Sequence, residues 1–141
     1  MKKSAEELFE SPFVVVDLLP RQVPADGPGR YFAVERYFLE EPRIARVKQK
    51  HADLILKLYC YRDMALEGGP RNPEPEALAE AVKTERALIL TGGSMIVSEP
   101  DDLTLTVYAP DAELVGLLES LCAGEGLYVW APPGQDAGKD A

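Results

Sequence analysis

Leu103-Thr104-Leu105-Thr106-Val107-Tyr108-Ala109-Pro110-Asp111-Ala112-Glu113-Leu114-Val115-Gly116-Leu117-Leu118-Glu119-Ser120-Leu121-Cys122-Ala123-Gly124-Glu125-Gly126-Leu127-Tyr128-Val129-Trp130 is the stretch that decides the fold. Leu103, Leu105 and Val107 alternate with Thr104, Thr106 and Tyr108, the period of a half-buried strand. Pro110 cannot donate to a sheet ladder, and Asp111 can accept from the first free amides of a helix. Leu114, Leu117, Leu118 and Leu121 then fall on one helical face. Gly124 and Gly126 supply a cap and a turn. Leu127 to Trp130 is a short β-branched and aromatic strand, ended by Pro132 and Pro133. Strand, helix and strand on short links predict two parallel strands and a right-handed crossover. The leucine face of the helix is expected to cover the aliphatic face of both strands.

Working outward, Gly92-Gly93 is a two-residue hairpin turn between strands 87–91 and 94–98. Before it, Pro73 and Pro75 lead into a helix from Glu76 to about Thr84, and Gly68 to Pro75 is a loop. From Pro42 to about Arg62 a long helix is expected. Its Ile44, Val47, His51, Leu54, Ile55 and Leu58 form one stripe, and Ala45, Ala52, Leu56 and Tyr59 a second, so it is predicted to be sandwiched. Tyr31 to Glu41 has helical spacing, although Phe32 and Val34 also fit a strand. Pro20 to Gly29 is a loop. Phe13 to Leu19 is a continuous apolar run, as in a strand covered on both faces. Ser4 and Glu7 can form a capping box on a short N-terminal helix.

The resulting order is strand, helices, antiparallel meander, helix and parallel strand. It resembles the ferredoxin-like β-α-β-β-α-β plan, which implies an α+β mixed sheet with helices packed on it. That likeness implies nothing about function, because such folds host many activities. The 141 residues are expected to form a single domain, 1–141, with its ordered core at about 12–131 and a disordered tail at 133–141.

The apolar share of 46% suits a globular protein. The N-terminus has no apolar run of the signal-peptide kind, and no segment approaches membrane-spanning length, so the expected setting is the cytoplasm without membrane contact. The formal net charge of −9 disfavours phosphate backbones as partners. Against that trend, Arg30 to Arg62 holds eight basic residues and four acidic ones. Arg43, Arg46, Lys50 and Lys57 lie on one flank of the long helix and are the candidate anion-binding or nucleic-acid-binding set. They read more readily as a solvated or internally paired helix face.

Catalytic and metal signals are weak throughout. His51 is the sole histidine and lies on an apolar stripe, which reads as a core position. A two-histidine metal site is thereby excluded. Cys60 and Cys122 read as reduced core thiols. Thr91-Gly92-Gly93-Ser94 is followed by a strand pattern and not by a helix, which fits a hairpin rather than an anion cradle. Glu99, Asp101 and Asp102 read as a solvated turn. No cofactor and no metal are expected.

The remaining candidate is a surface. Thr104, Thr106, Tyr108, Tyr128 and Trp130 share a parity opposite the aliphatic face. Left open, they form an aromatic platform for a protein partner or a second copy of the chain. Covered by N-terminal helices, they are ordinary core. The expected function is a non-catalytic interaction or regulatory module, using this face or a sheet edge. The alternatives are an anion binder on the basic flank, or a small enzyme without a recognisable motif.

Overall fold

The computed structural model describes residues 4–24 and 29–133. Among them the chain forms α1 (Ala5–Leu8), β1 (Phe13–Asp17), α2 (Arg30–Leu39), α3 (Arg43–Tyr59), β2 (Ala65–Leu66) and α4 (Pro75–Thr84). After these come β3 (Ala87–Thr91), β4 (Ser94–Ser98), β5 (Leu105–Tyr108), α5 (Ala112–Glu125) and β6 (Tyr128–Trp130). The fold is α+β. Of the loop expected at Pro20 to Gly29, residues 25–28 lie outside the described residues, as does all of the expected 133–141 tail except Pro133.

The six strands form one open sheet in the order β2-β3-β4-β5-β1-β6, and every neighbouring pair is antiparallel. The expectation of a mixed sheet with an adjacent parallel pair is corrected. β5 and β6 do run the same way, but β1 lies between them and is antiparallel to each. The alternation of a strand fixes which face a side chain takes and not which strand becomes its neighbour. The two-residue β2 fell inside no expected strand, being too short to show a period.

One face of the sheet carries Val14, Val16, Ile89, Ile96, Leu105 and Val107, which join the leucines of α3, α4 and α5 in the main core. The main stripe of α3 is buried along its length. Its second stripe is uneven, with Ala52 buried, Leu56 and Tyr59 half-buried and Ala45 exposed. α5 begins where Asp111 accepts a hydrogen bond from the Leu114 amide and ends on Gly126 in the left-handed conformation. Its leucine face meets the aliphatic side of the strands, as its periodicity requires. At the other end of the chain, Ser4 and Glu7 complete the capping box of α1.

Candidate functional site

The second face of the sheet holds the candidate aromatic platform. Val15 is paired with both Thr106 and Trp130, Phe13 with Tyr108, and Asp17 with Tyr128. Directly opposed residues point to the same side, so Thr106, Tyr108, Tyr128 and Trp130 share one face. Thr104 joins them, because it lines the same cavity as Val15 and Trp130.

Two N-terminal elements divide this face. At one end α1 lays Leu8 on Met95 and Val97 in a small buried cluster. Phe9 meets the Tyr108 ring edge-on at 5.1 Å, and Phe13 lies 5.5 Å from the same ring. Tyr108 is therefore largely covered. At the other end the chain after β1 and the first turn of α2 stand away from the sheet. They leave a cavity of about 380 Å³ between Trp130, Thr104, Asp17 and Asp102 on one side and Tyr31, Phe32 and Glu35 on the other. Tyr128 is 48% exposed beside this opening, and Trp130 is half-buried in its wall.

Trp130 is held by its indole nitrogen, which donates to Asp17 Oδ2 at 3.2 Å. The other carboxylate oxygen of Asp17 accepts from the Leu18 amide at 2.7 Å. Burial raises the Asp17 carboxyl above its ordinary range, and the Asp102 charge adds to this, while the hydrogen bonds from Leu18 and Trp130 oppose it. The Tyr31 hydroxyl is pushed up by burial and then by the charges of Glu35, Asp17 and Asp102. Among the described residues that line it, the cavity carries three carboxylates and no lysine, arginine or histidine. Asp17, Glu35 and Asp102 had no sequence signal as a group, since they come from three distant elements. The register of β1 with β5 and β6 is what puts Asp17, with Val15, on this face.

α2 contributes a further apolar surface. None of its residues is buried, and Phe32, Val34, Tyr37 and Leu39 are all exposed. It is anchored to α3 mainly through Phe38, which packs against Ile44, Val47 and Leu103. The guanidinium of Arg43 stacks over the Tyr37 ring at 3.7 Å.

The basic flank of α3 is partly engaged. Arg43 donates to the Tyr37 carbonyl and to Glu40, and Lys57 is ion-paired with Glu125. The amine of Lys50 lies close to the Gly126 turn. Arg46 is exposed. These contacts turn two of the four cations toward the chain's own carboxylates.

Lys48, which was not placed in that set, is 2% exposed. It donates to Ser98 Oγ at 3.0 Å and to the Glu99 carbonyl at 2.7 Å. Burial lowers its amine to about 8, against the charges of Asp102, Asp101 and Glu99. The acidic turn between β4 and β5 is therefore fastened to α3 by a buried lysine, and Glu99 pairs outward with Arg86. Lys48 completes the spacing from Ile44 to His51, which was the signal that it faces inward. His51, one turn on, is fully buried, and neither ring nitrogen makes a hydrogen bond of ordinary geometry among the described residues.

A cavity of about 870 Å³ lies by the β3–β4 turn and is lined by Arg62, Asp63, Arg71, Gly92, Asp111 and Glu113, among others. Arg62 is saturated there. It donates to Thr91 Oγ1 and the Thr91 carbonyl, to both Asp111 oxygens and to Glu113. Its role is to join the end of α3 to the hairpin and to the start of α5. Cys60 is exposed at the end of α3, which corrects its expected place in the core, whereas Cys122 is buried and its thiol is pushed up to about 12 by burial. Both thiols are free.

Among the described residues no helix is long and apolar enough to cross a membrane, and no cluster of three His, Cys, Asp or Glu side chains is arranged to hold a metal ion. In comparisons with known proteins, no family model matches the chain, and no curated protein or solved structure matches it at a significant level.

Proposed function

We propose that this chain is a non-catalytic protein-interaction module that engages its partner through the open end of the second sheet face. The observation that carries this reading is the exposure of Tyr128 and the half-burial of Trp130 beside an α2 that buries none of its own residues. Phe32, at 58% exposure, carries the aromatic surface onto that helix. Aromatic residues on a rigid strand are common interface anchors, because they bury much area at small entropic cost. A face supports the role better than an edge. The β6 edge is three residues long, and Pro132 follows directly beyond Ala131. Proline there limits the ladder an added strand can form.

The same reading keeps the ferredoxin-like plan. The neighbours β4-β5-β1-β6, joined by α5 between β5 and β6, support it, with β3 and β2 as additions at one edge. The test is site-specific photocrosslinking in the native host, with the photoreactive residue at Tyr128 or, as control, at exposed Glu119 on α5. A discrete adduct at Tyr128, absent at Glu119 and lost with Phe32→Glu, is expected. Light scattering on the purified chain shows whether the captured partner is a second copy. Equal adducts at both positions, or none at Tyr128, would refute the reading.

A further inference from the structure

The cavity beside Trp130 is walled by aromatics from two elements, Trp130 of β6 and Tyr31 and Phe32 of α2. Three carboxylates, Asp17, Glu35 and Asp102, come from β1, α2 and the β4–β5 turn. None of the described residues lining it is lysine, arginine or histidine. Asp17 is bonded to an indole and a backbone amide, neither of them a cation. Lys48, beneath the Asp102 turn, donates to Ser98, to the Glu99 carbonyl and at 3.5 Å to the Asp102 carbonyl, and its charge faces Asp102 from that side, so Asp102 is partly offset while Asp17 and Glu35 are not.

We infer that this cavity receives the positively charged side chain of a lysine or arginine presented by the protein partner. The inference rests on the reading of this face as a docking surface and names what the partner brings to it. An anion would meet the like charges of Asp17, Glu35 and Asp102. A purely apolar group would strip water from those carboxylates without replacing it. An organic cation satisfies both features at once: its charge meets the carboxylates, and its alkyl stem and charged head lie against aromatic faces. The carboxylates do not converge as metal ligands among the described residues, which favours an organic over an inorganic cation. The net charge of −9 draws a basic segment toward the chain at long range.

Trp130 is the only tryptophan, so its fluorescence reports on the cavity wall directly. The full chain is titrated with a short lysine- and arginine-containing peptide, with the same peptide carrying norleucine, and with one carrying glutamate. A saturable change with the basic peptide alone is expected. It should weaken with added salt and be competed by butylammonium or methylguanidinium. Asp17→Asn with Glu35→Gln should weaken it about tenfold or more by removing two of the three charges. Glu35→Gln alone, on the exposed helix, provides a variant with little risk to folding and should weaken it in the same direction. No response to any cation, or an equal response in the variants and the parent, would overturn the inference. Crosslinking at Tyr128 separates the two readings. An adduct that survives both neutralising substitutions keeps the docking face and sinks the cation site, whereas no adduct removes the docking face itself.

Discussion

His51 provides the sharpest test of the packing on which the fold rests. Its imidazole is fully buried on α3, and neither nitrogen makes a hydrogen bond of ordinary geometry among the described residues. Burial, then the Lys48 charge, lower its basicity from 6.5 to about 3, and a backbone interaction with Leu103 opposes them without reversing them. A base that resists protonation in the fold, yet protonates freely when unfolded, makes stability fall as pH drops through the unfolded value. The loss levels off only below the folded value. Between about pH 7 and about pH 4.5 this group alone should remove about 2.5 kcal/mol of stability. Asp17 and Asp111 titrate nearby in opposite senses, the first raised by burial and the second lowered by Arg62. Comparison with His51→Leu cancels both. The variant should lack the His51 component. At neutral pH it should be as stable as the parent, or up to about 2 kcal/mol more stable, because two buried unpaired polar atoms are removed. Urea unfolding of both chains at the two pH values, followed by circular dichroism, gives the four free energies required. Equal acid losses in parent and variant, or a loss above about 2 kcal/mol for His51→Leu at neutral pH, would show that the ring is hydrogen-bonded and the reasoning wrong.

Leu58 is fully buried between helices and sheet, so Leu58→Ala should lower stability by about 2–5 kcal/mol in the same unfolding assay. Gly92 has φ of 62°, and a Cβ there would lie 2.8 Å from an Arg62 guanidinium nitrogen. Gly92→Ala should therefore lose about 1–3 kcal/mol, and Gly93→Ala, where a Cβ meets nothing, should lose less. Half-buried Trp130 should emit between the limits for buried and free indole and be quenched by acrylamide. Trp130→Ala should remain below the roughly 3–5 kcal/mol expected of a fully buried ring.

How much of this was legible in the sequence depended on the range of the interaction. The Gly92-Gly93 hairpin, the α3 stripe and the Asp111 and Gly126 caps are local, and each formed where spacing and chemistry placed it. Insertion of β1 between β5 and β6 is non-local. It is decided by which strand best completes the aliphatic face over α3 and α5, and no single stretch encodes that. Lys48 was half-legible. Its position in the stripe faces inward, but its charge reads as solvent-facing until three acceptors, Ser98, Glu99 and Asp102, are brought to it from 50, 51 and 54 residues away. Cys60, the residue that caps α3, continues the outward flank of Gln49, Asp53 and Lys57 and not the buried stripe, which is why its apolar sequence surroundings misled.

The candidate site shows the same division. Parity alone put Thr106, Tyr108, Tyr128 and Trp130 on one face, and the strand register does the same. What parity could not supply was the cover. Tyr108 is shielded because α1 is short enough to reach only one end of the sheet, where Ala5 and Leu8 join its cluster and Phe9 meets its ring. Trp130 is left at the opposite end, where α2 turns away to pack Phe38 on α3. An even choice between platform and core thus resolves by position along the strands, with core toward α1 and an open, acidic, aromatic cavity toward α2. Two of the carboxylates that give the cavity its charge, Asp17 at the end of β1 and Asp102 in the β4–β5 turn, lie where the chain leaves the sheet and polar side chains are tolerated, and the third, Glu35, stands on the half-exposed α2. On the proposed docking reading, that is also where a partner would meet them without disturbing the aliphatic face beneath.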